Sequence, residues 1–197
     1  NVEQNQGLQK GNDAAKYLFK TNLHQEAIQG WLTLDYNLAY TKRQYTPANY
    51  SAFRQAFLRN PTEPIYDETN LDAGGYFTID AMDYYNPVAM LNEKEAYNDV
   101  DNFQGSVRAT LNILPIKGLK WDNFISYGNE RYESREYLTK YYPSSLGQKG
   151  VAYISNSYAS DVQYESTVQY SNVFGKHSVQ GILGYTFQET NSRSASM

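Results

Sequence analysis

At 197 residues and a net charge of −4, the chain has the length of about one domain and no basic block that would suit a nucleic-acid surface. The absence of cysteine removes disulfides, thiolate metal centres and cysteine nucleophiles. The 20 tyrosines, against 8 Phe and 2 Trp, favour strands and surfaces that are partly apolar and partly wet.

No run of about 18 apolar residues occurs, so no transmembrane helix is expected. No secretory leader follows Asn1; an export signal would lie upstream or have been removed. The opening is polar. In KYLFKTNLHQ, Tyr17, Phe19, Thr21 and Leu23 share one parity, and Lys16, Lys20, Asn22 and His24 the other, which Leu18 interrupts. A strand is predicted over residues 15–25, with a turn near 26–29. WLTLDYNLAY (31–40) alternates cleanly: Leu32, Leu34, Tyr36, Leu38 and Tyr40 against Thr33, Asp35, Asn37 and Ala39. It predicts the antiparallel neighbour, over 31–44.

Residues 45–101 are long, polar and rich in turn signals: NPTEP (60–64), DAGG (72–75) and YYNP (84–87). Within them, Tyr50, Phe53, Phe57 and Leu58 fall at helical spacing, predicting one short helix that ends before Pro61. NFQGSVRATLNI (102–113) alternates throughout, LPIKG (114–118) reads as a turn, and the return strand runs over 119–137. Asn123 interrupts its apolar row of Leu119, Trp121, Ile125 and Tyr127. A shorter loop is expected over 138–152. Strands over 153–174 and 177–190 then form a third hairpin closed by Gly175-Lys176, with Val168 and Tyr170 on one apolar row and Val179, Leu183, Tyr185 and Phe187 on the other.

Three hairpins, six strands, and an alternation of tight turns with long loops follow. Soluble strands commonly run about 5–6 residues; a tilted strand needs about 9–11 to cross a bilayer. These are at least as long as the second figure. No charge lies on the apolar parity within residues 32–40, 103–113, 162–174 or 179–187, and a charge facing lipid at mid-depth would cost roughly 2–4 kcal/mol. Aromatic residues flank the apolar stretches. Tyr40 lies nine residues after Trp31, and Tyr164 ten before Phe174. Tilted, those separations project to roughly 21–23 Å, close to an apolar band of about 25 Å. Strict alternation turns Trp31 itself away from lipid. Because the smallest transmembrane barrels have about eight strands, the chain is expected to be a piece of a larger barrel, with partner strands before residue 1 and after residue 197.

The order of these elements, with the NPTEPIYD and YYNPVAML segments, the hairpin ILPIKGLKW and the hairpin FGKHSVQGILGY, resembles the barrel of SusC/RagA-type TonB-dependent outer-membrane transporters. The resemblance spans nearly the whole chain. It implies an all-β fold, antiparallel and up-and-down, forming part of a 22-stranded transmembrane barrel of the bacterial outer membrane. Residues 1–197 would be a partial barrel domain without its plug domain. Short turns would face the periplasm, and residues 45–101 and 138–152 the exterior. The family imports large nutrients, glycans or oligopeptides, is energised by the TonB complex through the plug region, and is capped by a SusD-like surface lipoprotein. The implied surroundings are outer-membrane lipid. No substrate-contacting residue carries over.

No enzyme is expected, and no catalytic residue, metal site or cofactor is assigned. His24 and His177 stand alone at strand ends. Asp99 and Asp101 lack the further ligands of a calcium loop. Glu130, Glu133 and Glu136 raise the question of paired-carboxylate chemistry, but Arg131 and Arg135 between them suit a solvated strand extension. No G-x-S-x-G elbow is present, and GQKG (147–150) is too short for a phosphate loop. The loop pairs Tyr84-Tyr85 and Tyr141-Tyr142 could stack on sugars or simply pack. Two alternatives stay open: another outer-membrane β-barrel, adhesin or passive channel, and a soluble carbohydrate-binding β-sandwich.

Overall fold

The computed structural model describes residues 1–80 and 83–197. One antiparallel sheet contains β1 (Val2–Gln6), β2 (Asp13–Ile28), β3 (Leu32–Tyr45), β4 (Lys94–Asn112), β5 (Leu119–Leu138), β6 (Val151–Phe174) and β7 (His177–Ser196), each bonded only to its chain neighbours. The alternation predicts six strands; the described residues form seven. The extra one, VEQNQ, has no apolar parity, and its strand state comes from pairing with residues 13–17 of β2. The one predicted helix is α1 (Tyr50–Leu58), and a second, α2 (Pro87–Asn92), follows it. Asn86 explains α2: its side chain caps Val88 and Ala89 N–H, and Pro87 presets the first helical φ. β4 begins at Lys94 rather than 102, because Lys94 to Asp101 pair in register with β5 although they carry no apolar pattern.

The short connections, at 29–31, 113–118 and 175–176, lie at one end of the sheet. The 46–93 and 139–150 connections lie at the other, with the 7–12 turn. The turn after Pro115 depends on Gly118. Its φ is 87°, and a Cβ there would collide with the carbonyl oxygen of Ser171, whose N–H donates to Gly118 O at 2.8 Å.

Register places Tyr36, Val107, Ile125 and Tyr164 side by side on one face. Asn123 belongs to that face too, opposite Ala109 and Ser166, so the phase of β5 holds. Its polarity is met locally: Tyr164 Oη donates to Asn123 Oδ1 at 3.0 Å, and Trp121 Nε1 donates to Ser166 Oγ at 2.8 Å. The upper edge of the apolar belt is also aromatic. Tyr40 donates to Asp101 at 2.5 Å, and the Tyr127 and Tyr158 hydroxyls stand 3.2 Å apart.

The belt is not level with the hydrogen-bonded rows. On β3 it centres on Tyr36, and that row reaches Phe187 on β7. The apolar stretch of β7 (179–187) centres instead on Leu183, four residues nearer the tight turn. Over four strand steps of about 4.8 Å, a drift of about 13 Å tilts the belt by roughly 35° from the rows. Strands of transmembrane barrels tilt by about 35–45°. A slab of hydrocarbon imposes that drift on a tilted sheet; a second protein layer does not.

No second layer exists among the described residues. Leu34 and Val107 are half-buried, while Val168 is 37% and Leu183 76% exposed. Phe19, Leu23, Ile125 and Tyr185 are open as well. Burial is worth about 1.5–3 kcal/mol per large apolar side chain. Leaving such a face in water would forgo on the order of 10 kcal/mol, comparable to a domain's whole stability. The β-sandwich alternative therefore lacks its core.

Among the described residues, the one cluster of buried apolar residues, Ala52, Met90, Leu138 and Tyr142, lies in the loop region and at the adjoining end of β5. There α1 packs on α2, and α2 on β4. Asn98, Val100 and Leu138, which the loops bury, share the face opposite the apolar belt. The long loop therefore folds over the polar side of the sheet.

Candidate functional site: the polar wall and its loop cap

The polar face is organised in cross-strand rows. Nearest the tight turns, Thr110 donates to Asp122 at 2.6 Å, and Lys120 stands 3.6 Å from the same carboxylate. The next rows bring His24, Asp35, Arg108, Phe124 and Glu165 abreast. His24 Nδ1 lies 2.6 Å from Asp35 Oδ1, and the Arg108 guanidinium sits 5.0 Å above the Phe124 ring. Beyond this charged ledge comes a neutral row, Asn22, Asn37, Ser106, Ser126 and Gln163, in which Asn37 donates to Ser106 at 3.3 Å. Then follows the row Lys20, Ala39, Gln104, Gly128 and Asp161. A cavity of about 370 Å³ opens over these two rows. This is a polar, charge-bearing wall, suited to guiding a polar solute or holding another polypeptide segment.

The cap is held by buried amides. Asn86 Nδ2 donates to the carbonyls of Ile65 (2.7 Å) and Phe77 (3.2 Å). Gln55, 1% exposed, donates to Asp83 O at 3.1 Å and accepts from Tyr85 N–H at 3.1 Å. Asn49 caps α1 and also donates to Met90 O at 3.0 Å. Glu93 ties the two long connections to each other, accepting from Tyr76 at 3.0 Å and Thr139 at 2.7 Å. Burial raises the Tyr76 hydroxyl pKa; the Asn92 hydrogen bond opposes this and Glu93 adds to it. The 7–12 turn joins in through Gln9, which exchanges two hydrogen bonds with the Asn49 main chain, and Lys10, 2.6 Å from Asn92.

The residues raised by the sequence fall as follows. Glu133 is on the apolar-parity face beyond the belt, paired with Arg131 and Arg135. Glu130 and Glu136 are on the opposite face, bonded to Asn102 and Lys94 respectively. Separated by six residues of strand, they stand about 20 Å apart, so the trio forms no carboxylate pair. Asp99 and Asp101 share Lys42, at 3.3 and 3.4 Å. His177 pairs in register with Phe174 at the last hairpin, far along the chain from His24. Tyr142 is buried and Tyr85 packs on the same cluster; the Tyr84 hydroxyl lies 2.9 Å from both Glu63 oxygens. Tyr141 lies against Gly74, where a Cβ would come within 2.7 Å of its ring. These tyrosines pack the cap. The amides of Asn49, Gln55 and Asn86 carry more of its architecture; only the NP dipeptide at 86–87 signalled any of them.

No family model matches the chain, and no curated protein matches it in sequence. Solved structures do. One of the RagAB peptide transporter superposes with a TM-score of 0.68 at 13% identity, covering 94% of this chain and 22% of that one. The RagAB peptide importer in its closed-closed state gives 0.67 at 14% identity, over 94% of this chain and 22% of that one. In its open-open state it gives 0.66 at 15% identity, over 94% and 21%. At such identities the likeness is one of fold. The fold is all-β, up-and-down and antiparallel, that of a stretch of a transporter β-barrel, and the chain spans about a fifth of the transporter chains it matches.

Proposed function

We propose that residues 1–197 form part of the barrel wall of a TonB-dependent importer in a bacterial outer membrane. The observation that carries this reading is the tilted apolar belt backed by a polar wall, on strands that superpose on a transporter over nearly their whole length. The apolar face meets lipid; the polar face lines the lumen; the loop cap narrows the exterior mouth. Strands outside residues 1–197 complete the barrel, and the plug that they enclose receives energy from the TonB complex. A SusD-like surface lipoprotein closes the outer side. The cargo is a large nutrient, with oligopeptides favoured over glycans because the superposed structures are of a peptide transporter. The chain performs no covalent chemistry.

The test is uptake of oligopeptides by cells with and without the gene that encodes this chain, and with and without TonB. Uptake lost in both deletions supports the reading. Uptake that survives loss of TonB identifies a passive channel, and none in any strain identifies an adhesin or another role. Co-purification of a surface lipoprotein with the tagged barrel tests the partner.

A further inference from the structure

The cavity in the polar wall has a definite chemistry. Its floor is bare where Ala39 and Gly128 replace longer side chains. An ideal Cβ on Gly128 would lie 2.5 Å from Asp161 Oδ1, so the carboxylate leans over the glycine into the furrow. Lys20 stands at the other end of the row. Neither Lys20 nor Asp161 has an ion-pair partner among the described residues, whereas the nearby Lys42, Asp35, Asp122 and Glu136 all do. Between the two charges the floor also carries the Gln104 amide, and alongside runs the row of Asn37, Ser106 and Ser126, which supplies uncharged donors and acceptors. A floor bare but for that amide, a neutral hydrogen-bonding side and opposite charges at the ends match an extended chain with an ammonium at one terminus and a carboxylate at the other. The charges stand four strand steps apart, about 19 Å, and an extended pentapeptide spans about 17 Å. A neutral glycan can offer hydroxyls to these groups but no opposite charge to either.

We propose that this furrow is a peptide subsite in the lumen wall, taking a short extended peptide with its ammonium at Asp161 and its carboxylate at Lys20. The assignment rests on the importer reading above. A hydrogen bond to a charged group is worth about 1.5–3 kcal/mol, or roughly 10–100-fold in affinity. The experiment uses the complete purified barrel and measures binding of penta-alanine, its N-acetyl form and its C-amide form by equilibrium dialysis. The wild-type protein is expected to bind each capped form about tenfold more weakly. Asp161→Asn removes the penalty of acetylation alone, and Lys20→Gln that of amidation alone. Ala39→Trp, which fills the floor, weakens all three peptides, and heat-modifiable electrophoretic mobility shows that each variant is folded. Folded variants that keep both penalties, or a wild type indifferent to both caps, overturn the furrow and leave peptide import standing. A wild type that binds none of the three overturns the furrow and the peptide cargo together.

Discussion

The belt and the cap are built on opposite plans. In the belt, residues such as Ile125 and Leu183 face outward, and the strands are joined by unbroken backbone ladders. In the cap, small apolar residues and amides are buried: Ala52, Ala89, Gln55 and Asn86 are at most 3% exposed. The surroundings account for the difference. In hydrocarbon the backbone must satisfy itself, and closed sheets do so strand by strand. In water a loop of this length has too little apolar surface for a conventional core, so side-chain amides bond the irregular main chain. On the importer reading proposed above, the cap is a small soluble unit tethered to a membrane wall.

The sharpest way to break this comparison is to place a charge on either face of one strand. Val107→Arg puts a guanidinium at mid-belt and is expected to destabilise the folded barrel by roughly 2–4 kcal/mol. Ser106→Arg, its neighbour on the lumen face, is expected to change stability by no more than about 0.5 kcal/mol. Denaturant titration of the complete barrel in lipid vesicles reads both; equal effects would mean that the belt does not face lipid.

The next effect belongs to the cap. Asn86→Ala removes the side-chain donor to the Phe77 carbonyl, leaves the Ile65 carbonyl only the Phe77 N–H, and uncaps α2, for a loss of about 1–3 kcal/mol. Limited proteolysis should then cut within 46–93 while the strands stay protected. Cleavage of the strands at the same rate would show that cap and wall unfold as one.

Gly118→Ala tests the tight-turn end. The collision with Ser171 O and the left-handed φ together cost about 1–3 kcal/mol, read in the same vesicle titration with no change in cleavage of the cap. The smallest effect is at Asp67. The Thr69 hydroxyl, then the Thr69 N–H, hold its carboxyl below the usual carboxylate range. A carboxyl lowered in the folded state contributes above its unfolded pKa and loses that contribution as pH falls through its folded value. Protease sensitivity of 46–93 should therefore rise slightly on acidification in the wild type and more weakly in Asp67→Asn.

Period-two alternation carried the strands of the apolar belt, because each keeps one parity apolar along that stretch. It failed where neither parity is apolar. VEQNQ and KEAYNDVD are strands because neighbours offer a ladder, and their own side chains do not announce it. The 190–196 end of β7 is the same case: Ser192, Ser194 and Ser196 extend it only by pairing with β6. The packing role of the four loop tyrosines was equally hidden, since a tyrosine hydroxyl reads the same whether it meets Glu63 or a sugar.

The sequence by itself determined the hairpins, the two faces and the placement of tight turns and long loops, because these follow from local periodicity and turn chemistry. The tertiary structure alone decided the tilt of the apolar belt, the inward fold of the cap and the meeting of Lys20, Gly128 and Asp161 along one furrow. Those depend on register between strands far apart in the chain, which is set by pairing across the sheet and leaves no mark within any single segment.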